Sequence, residues 1–348
     1  MKKVVVIGGG FAGSYVAHRL QNDYEVTLID NKDYFEFTPG ILRSIVEPGH
    51  LKHLQIPHKK YLKKARVLMA DVTEISEKEV ILKSARMPFD YLFICSGSGY
   101  ANPIKEADVI MSARGFHLAS FSEKLENSRK ILIIGGGLVG IELAAEICTH
   151  SKDKEIKLMH AGQCLIERNS AKSQKYAEEF LKKRNVEIIF NEKITKAGKN
   201  IFTSDKGRDI KPEMAFMCVG IIPNSDFMKK NFPKCLNERG AIKVNKFLQV
   251  VGHENIFAAG DINDLAVEKT AQNSLYQGIR AAGNLIRMEK KKQLVEYKGI
   301  KTPMVISLGK WNGIFEWKNF VITGFLSGLL KHIVEMKNMW LYRLWSWF

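Results

Sequence analysis

The sequence predicts an α/β, three-layer fold with two Rossmann-like units, the second inserted in the first, and three observations carry that expectation. The pattern GxGxxG occurs twice, as Gly8-x-Gly10-x-x-Gly13 and Gly135-x-Gly137-x-x-Gly140, each time after a short apolar run and before a helical stretch. A Gly-Asp pair follows much later at Gly260-Asp261. Strand and helix signals alternate around both motifs, as parallel strands joined by crossover helices require.

Taken in order, Val4 to Ile7 read as a buried strand and the residues from about Ala12 as a helix. Between them Gly8 makes the tight turn, Gly10 lets the backbone approach a pyrophosphate, and Gly13 lets helix and strand pack closely. The helix N-terminus adds free N–H groups and partial positive charge. Roughly 20 residues after such a motif an acid is expected on a ribose hydroxyl, and YEVTLID ends in Asp30. DYLFICSGS closes this half as a buried strand running into a glycine turn.

RKILIIGGGLVGIELAAEI repeats the arrangement, with Ile131 to Ile134 as the strand and Gly135, Gly137 and Gly140 in the same three roles. Further strands are expected at Val186 to Phe190 and from Met214 to Gly220, where GIIPN ends the unit. The strand that should carry the acid, EIKLMHAGQ, offers His160 instead. A missing carboxylate removes the repulsion that excludes a 2′-phosphate, so NADH and NADPH both stay open as donors. Lys157 and Arg168 are basic residues near it in sequence.

The chain then returns through GAIKVNKFLQV and ENIFAAGDIND to a helix over TAQNSLYQGIRAAGNLIR. Only this segment supplies Gly260-Asp261. Residues 1–99 and 227–298 are therefore expected to form one dinucleotide-binding domain, interrupted by a second over 100–226. Residues 299–348 are left as a C-terminal hairpin and amphipathic helix. The hairpin is MVISLGKWNGIFEW, turning near Asn312-Gly313. On a helix from about Phe325, the residues Leu326, Leu330, Ile333, Met336, Trp340, Leu344 and Trp347 share a face, flanked by Lys331, His332, Lys337 and Arg343. Apolar surface edged by basic residues suits the headgroup region of a membrane. Packing on the protein's own core or on a second subunit is the alternative.

A chain of 348 residues, 45% hydrophobic and 26% charged, can build two cores and is not a disordered protein. Its five cysteines, Cys95, Cys148, Cys164, Cys218 and Cys235, have no CxxC spacing. Neither a disulfide framework nor a metal site is expected, and each thiol reads as a buried apolar group in a reducing compartment. No apolar stretch reaches the roughly 18 to 20 residues of a transmembrane helix. The N-terminal strand runs directly into a glycine turn without a cleavage site, so no signal peptide is expected. The formal charge of +16 draws anionic surfaces: acidic lipid, phosphorylated cofactors or, as the least expected, nucleic acid.

Through VVVIGGGFAG with Asp30, ICSGS, GGGLVGIELAAEI, VGIIPN and IFAAGDIND the chain resembles the two-dinucleotide-binding (pyridine nucleotide) flavoprotein superfamily. Through DYFEFTPGILRSIVEP, EKTAQNSLYQG and ITGFLSGLLKHI it is similar, within that superfamily, to type II NADH:quinone dehydrogenases and to apoptosis-inducing-factor-like and ferroptosis-suppressor-like quinone reductases. The likeness covers nearly the whole chain. It implies FAD, with Gly8, Gly10, Gly13 and Asp30 on its pyrophosphate and ribose. Phe11, Ala12, Asn31, Lys32, Val72, Ser96 and Gly97 would surround them, Pro39 would lie near the ring, and Gly260 and Asp261 would receive the ribityl chain. It implies NADH or NADPH as substrate, held by Gly135, Gly137, Leu138, Val139 and Gly140 with His160 and Gly220 alongside. Glu142 would lie near the nicotinamide end, or else be a solvated helix residue.

Type II dehydrogenases carry AQxAxQQ under the flavin. Here Ala271-Gln272 matches its start, Tyr276 replaces the sixth-position glutamine and Gln277 keeps the seventh. Lys331 in GLLKH resembles a C-terminal lysine that sits close to the active site in the ferroptosis-suppressor-like branch, with a surface role as its alternative. Glu142, Gln272 and Lys331 are thus the candidate catalytic residues. The implied reaction passes hydride from NAD(P)H to flavin and then two electrons to a membrane quinone. The implied enzyme is cytoplasmic, peripheral on the inner face of an anionic membrane, and able to form a homodimer. Disulfide reductases and sulfide:quinone reductases need paired cysteines that are absent here. A ferredoxin reductase or NAD(P)H oxidase would share every glycine motif but lack the Trp-rich tail. A non-enzymatic nucleotide-sensing flavoprotein is the remaining class.

Overall fold

A computed structural model describes residues 1–100, 109–111, 118–198 and 201–345. The β-branched run Val4–Ile7 is almost fully buried and lies at the heart of a six-stranded sheet as strand Lys3–Ile7. Each such side chain contributes roughly 1.5–3 kcal/mol by leaving water. Strands Glu25–Asp30 and Tyr91–Ile94 flank it in parallel, and Arg66–Met69 extends the sheet on one side. On the other side His253–Ala258 pairs in parallel with Tyr91–Ile94, and Gln249–Val250 closes the edge. Two widely separated stretches of chain therefore share one sheet, with Phe93 and Phe257 stacked 4.9 Å apart across the seam.

A second, five-stranded sheet is parallel throughout, in the order Val109–Met111, Met214–Met217, Lys130–Ile134, Glu155–Met159, Glu187–Ile189. The strand expected over Val186 to Phe190 is shorter, and the one expected from Met214 to Gly220 stops at Met217. Helices Phe11–Leu20 and Leu138–His150 follow the two central strands. This is an α/β arrangement with two dinucleotide-binding units. Among the described residues no helix is long and apolar enough to cross a membrane.

The C-terminal segment differs from its sequence reading in two ways. The hairpin Met304–Ser307 and Gly313–Trp317 gains a third strand, Phe320–Gly324, before helix Phe325–Leu344 begins. The helix also turns its polar residues inward: Ser327, Gly328, Lys331, Glu335, Met339 and Tyr342 are buried. Lys331 is thus part of the inner face, not a flank of the apolar one. Leu326, Ile333, Met336 and Trp340 are exposed, at 66%, 47%, 63% and 59%, while Trp347 lies outside the described residues. The inward face is held by Tyr342, which stacks on Phe35 at 3.8 Å and whose hydroxyl lies 2.7 Å from Ser14 Oγ in the first motif helix.

Candidate active site

Both glycine turns are built by the same steric rule. Gly8 has φ +92° and Gly135 φ +115°, and a Cβ on either would strike the carbonyl oxygen of Cys95 or Cys218 at 2.4 and 2.6 Å. A Cβ on Gly13 or Gly140 would lie 1.8 Å from the carbonyl oxygen of Gly8 or Gly135, so helix and strand cross there with no room for a side chain. Gly10 and Gly137 face open space, the cradle a pyrophosphate needs.

The acids differ. Asp30 Oδ2 accepts the Gly9 N–H at 2.8 Å and lies 3.2 Å from His58 Nε2, while Oδ1 accepts the Lys32 N–H at 3.3 Å. His58 is fully buried, and its Nδ1 lies 2.6 Å from Tyr61 Oη. Burial works to raise the Asp30 carboxyl, but His58, Lys32 and the Gly9 N–H outweigh it and hold the carboxyl below its ordinary value. In the second turn Gly136 N–H donates to His160 Nδ1 at 3.2 Å, which puts the imidazole proton on Nε2. That Nε2 faces Glu167 Oε1 at 3.7 Å. Glu167 follows Ile166, a left-handed residue at φ +42° whose N–H donates to Gly136 O. A carboxylate therefore does stand at this strand end, delivered by a loop.

One cleft of about 760 Å³ runs from the first turn to the C-terminal segment. Its walls include Gly8, Gly10, Phe11, Ala12, Asp30, Asn31, Lys32, Pro39, Val72, Ser96 and Gly97, and, from the returning chain, Gly260, Asp261, Ala271 and Gln272. Leu138, Val139 and Glu142 bring the second motif helix to the same cleft, and Lys331 brings the terminal helix. Gly13 is buried in the helix crossing, and Gly135, Gly137, Gly140, His160 and Gly220 are not among its walls. Asp261 is fixed by Ser98 Oγ at 3.2 Å and Ser274 Oγ at 3.3 Å. Gln277 does not reach the cleft: it is buried and accepts the Gly260 N–H at 2.7 Å. Burial pushes the Cys95 thiol up to about 12, so this cysteine offers no thiolate beneath the Gly8 turn at neutral pH.

Glu142 is not a solvated helix residue, and Lys331 is not a surface lysine. They form an ion pair at 3.2 Å with side-chain exposures of 14% and 11%, and Glu142 also accepts the Ser307 N–H at 2.9 Å. Beside them Glu146 accepts from Arg43 at 3.2 Å and from Ser307 Oγ at 3.3 Å. Sequence reading missed His58, Arg43, Glu146 and Glu335. A signal was present for Glu335, since Ser327, Lys331, Glu335 and Tyr342 recur at helical spacing as a polar stripe.

The sequence profile of the pyridine nucleotide-disulphide oxidoreductases matches residues 2–278, which span both turns and the Gly260-Asp261 pair. The chain belongs to that family. Its flavoproteins bind FAD and use NAD(P)H, and the open cradles and the cleft fit both groups. The chain is a flavin-dependent NAD(P)H oxidoreductase of this family. It is 33% identical to apoptosis-inducing factor homolog B of Dictyostelium discoideum, over 90% of this chain and 89% of that protein. It is 28% identical to human ferroptosis suppressor protein 1, over 99% of this chain and 95% of that protein. Its fold superposes on NDH2 from Plasmodium falciparum in complex with NADH with a TM-score of 0.86, at 15% identity, over 99% and 96% of the two chains.

Proposed function

We propose that this protein oxidises NADH and reduces a lipid-soluble quinone at a membrane surface. The observation that carries the reading is the single cleft shared by the first glycine turn, the second motif helix and the C-terminal segment. A donor and an acceptor ring can reach one flavin from different walls of such a space. Bound FAD supplies the hydride acceptor and the two-electron store; the chain's own residues bind, orient and exclude water. Gly8, Gly10 and Asp30 would hold its dinucleotide end, and Asp261, clamped by two serines, would receive the ribityl hydroxyls. Glu142, fixed by Lys331 and the Ser307 N–H, would face the nicotinamide end of the donor.

The acceptor wall is mainly apolar, with Thr302, Lys331 and Asn338 as its polar members. Pro303, Met304, Val305 and Ile306 from the hairpin and Val334 from the terminal helix line the cleft. On the opposite side of that helix Leu326, Ile333, Met336 and Trp340 present an exposed apolar face, and Trp317 and Phe320 of the preceding hairpin are exposed as well, at 47% and 58%. A surface of this kind, on a chain of charge +16, suits an anionic bilayer from which a quinone enters. NADH is the proposed donor, because Glu167 restores a negative charge beside His160 that a 2′-phosphate would meet.

Removing the whole tail would pull Tyr342 and Lys331 out of the core, so the test keeps the inward face. A variant with Leu326, Ile333, Met336 and Trp340 changed to serine is expected to keep NADH:ferricyanide activity, lose sedimentation with anionic vesicles and lose most activity toward a long-chain quinone. Failure of NADH to bleach the purified yellow protein anaerobically would end the reductase reading.

A further inference from the structure

Where the segment Thr38–Ile45, the second motif helix and the terminal helix converge, the buried charges do not balance. Three carboxylates, Glu142, Glu146 and Glu335, face two cations, Arg43 and Lys331. Arg43, Glu146, Lys331 and Glu335 are each at most 9% exposed. An uncompensated charge in such surroundings costs several kcal/mol and is relieved by binding a proton. One site for that proton stands at the edge: His50 Nε2 lies 3.2 Å from Glu335 Oε1, an ion-pair contact and not an aligned hydrogen bond. The cluster is neutral with one proton on His50 or on a carboxyl, and carries one excess negative charge without it.

The five charged groups surround a chamber of about 10 Å³, close to the volume that a single water centre occupies. Arg43 Nε is buried beside it with no acceptor among the described residues. Glu142 and Lys331 line both this chamber and the large cleft, so their side chains form the wall between the two. His50 has 13% side-chain exposure and marks the outer end.

We propose that His50, Glu335 and one water in the chamber carry the solvent proton that each turnover consumes, and hand it to Glu142 at the wall of the cleft. The inference rests on the quinone-reductase reading. The balance is NADH + H⁺ + quinone → NAD⁺ + quinol. The C4–H bond of NADH breaks with its electron pair, and the two quinone oxygens become hydroxyls. In that balance one quinol hydrogen is matched by the hydride that NADH gives up and the other by the solvent proton, which enters through His50. His50 and Glu335 are positioning and transfer groups; neither touches the reacting atoms. The charged and titratable groups around them are Arg43 from the Thr38–Ile45 segment, Glu142 and Glu146 from the motif helix, Lys331 and His332 from the terminal helix, and His53, whose ring centre is 6.1 Å from that of His50.

The test uses the full-length FAD-loaded protein with NADH and menadione, and the variants Glu335→Gln and His50→Ala. Bleaching of the wild type by NADH is scored first; its absence refutes the reductase reading and the relay with it, whereas normal bleaching with unaffected variants refutes the relay alone. Reoxidation by menadione is expected to slow about tenfold in each variant with a larger solvent deuterium isotope effect, and added imidazole is expected to restore His50→Ala. Independently of turnover, the Glu335 carboxyl, which burial raises but His50 and Arg43 bring below its ordinary value, is expected to titrate at higher pH in His50→Ala, read by carbon NMR of the carboxyl. Wild-type reoxidation rates and isotope effects in His50→Ala, or a Glu335 carboxyl titration unchanged in His50→Ala, would overturn the proposal. If Glu335→Gln does not fold, the His50→Ala rate, isotope effect and imidazole response decide alone.

Discussion

The two glycine turns share one backbone geometry and differ in how the strand-end acid is held. At the first, Asp30 is buried at 8% exposure and pinned by Gly9, Lys32 and His58; Tyr61, on the other side of His58, packs against Tyr342 of the terminal helix. At the second, His160 takes the backbone N–H that Asp30 takes in the first, and the carboxylate is Glu167, whose side chain is 54% exposed. Backbone turns of this kind are dictated locally, by close contacts that only glycine tolerates, and so recur. The recognition chemistry hangs on side chains and loops and is free to diverge. A rigid, buried acid suits a cofactor that stays; an exposed one suits a nucleotide that leaves each turnover.

The sharpest way to break this contrast is to overfill both crossings. Gly13→Val and Gly140→Val meet the same carbonyl contact, each with an overpacking cost of about 1–3 kcal/mol or more. The first is expected to give protein without flavin, read as the ratio of 450 to 280 nm absorbance. The second is expected to stay yellow with KM for NADH raised about tenfold or more, equivalent to ~1.4 kcal/mol. A yellow Gly13→Val protein, or a colourless Gly140→Val, would erase the assignment of the two turns.

Next in size is the acid itself. Asp30→Ala strands His58 and the Gly9 N–H in a buried site, at roughly 1–3 kcal/mol, so Tm and flavin affinity should both fall. His160→Ala strands only the Gly136 N–H and should lower Tm less; equal losses would refute the difference in rigidity. A smaller effect is expected from Glu167→Gln, which should raise kcat/KM for NADPH relative to NADH about tenfold, or ~1.4 kcal/mol. No change in that ratio would show that Glu167 does not meet the ribose.

The smallest effect is in pH. The Asp30 carboxyl sits below its ordinary 3.8 in the folded protein. Its contribution to stability is thus fully present above that value and is lost as pH falls through the lower folded one. Asp30→Asn should be less stable than wild type at neutral pH, and urea midpoints of the two should converge at strongly acidic pH. Parallel curves would mean that Asp30 gains nothing from His58 in the folded state.

Much of the fold was legible because its signals are local. GxGxxG, the apolar runs before each motif and the Asp30 strand end each lie within about 20 to 25 residues, where sterics and periodicity act directly. The terminal helix was legible in its start and in an apolar face left outward, but not in the burial of its polar stripe, because amphipathicity does not say what the second face will meet. Lys331 finds Glu142 across 189 residues, and Tyr342 finds Ser14 across 328.

By itself the sequence determined the two turns, since a positive φ and a carbonyl at contact distance exclude every side chain and leave glycine as their written trace. Only the tertiary structure decided that a loop glutamate comes to lie beside His160, and that three carboxylates meet two cations beside the cleft. Those groups come from separate helices and loops, and the low dielectric that makes their charge balance matter exists only once the chain has closed around them.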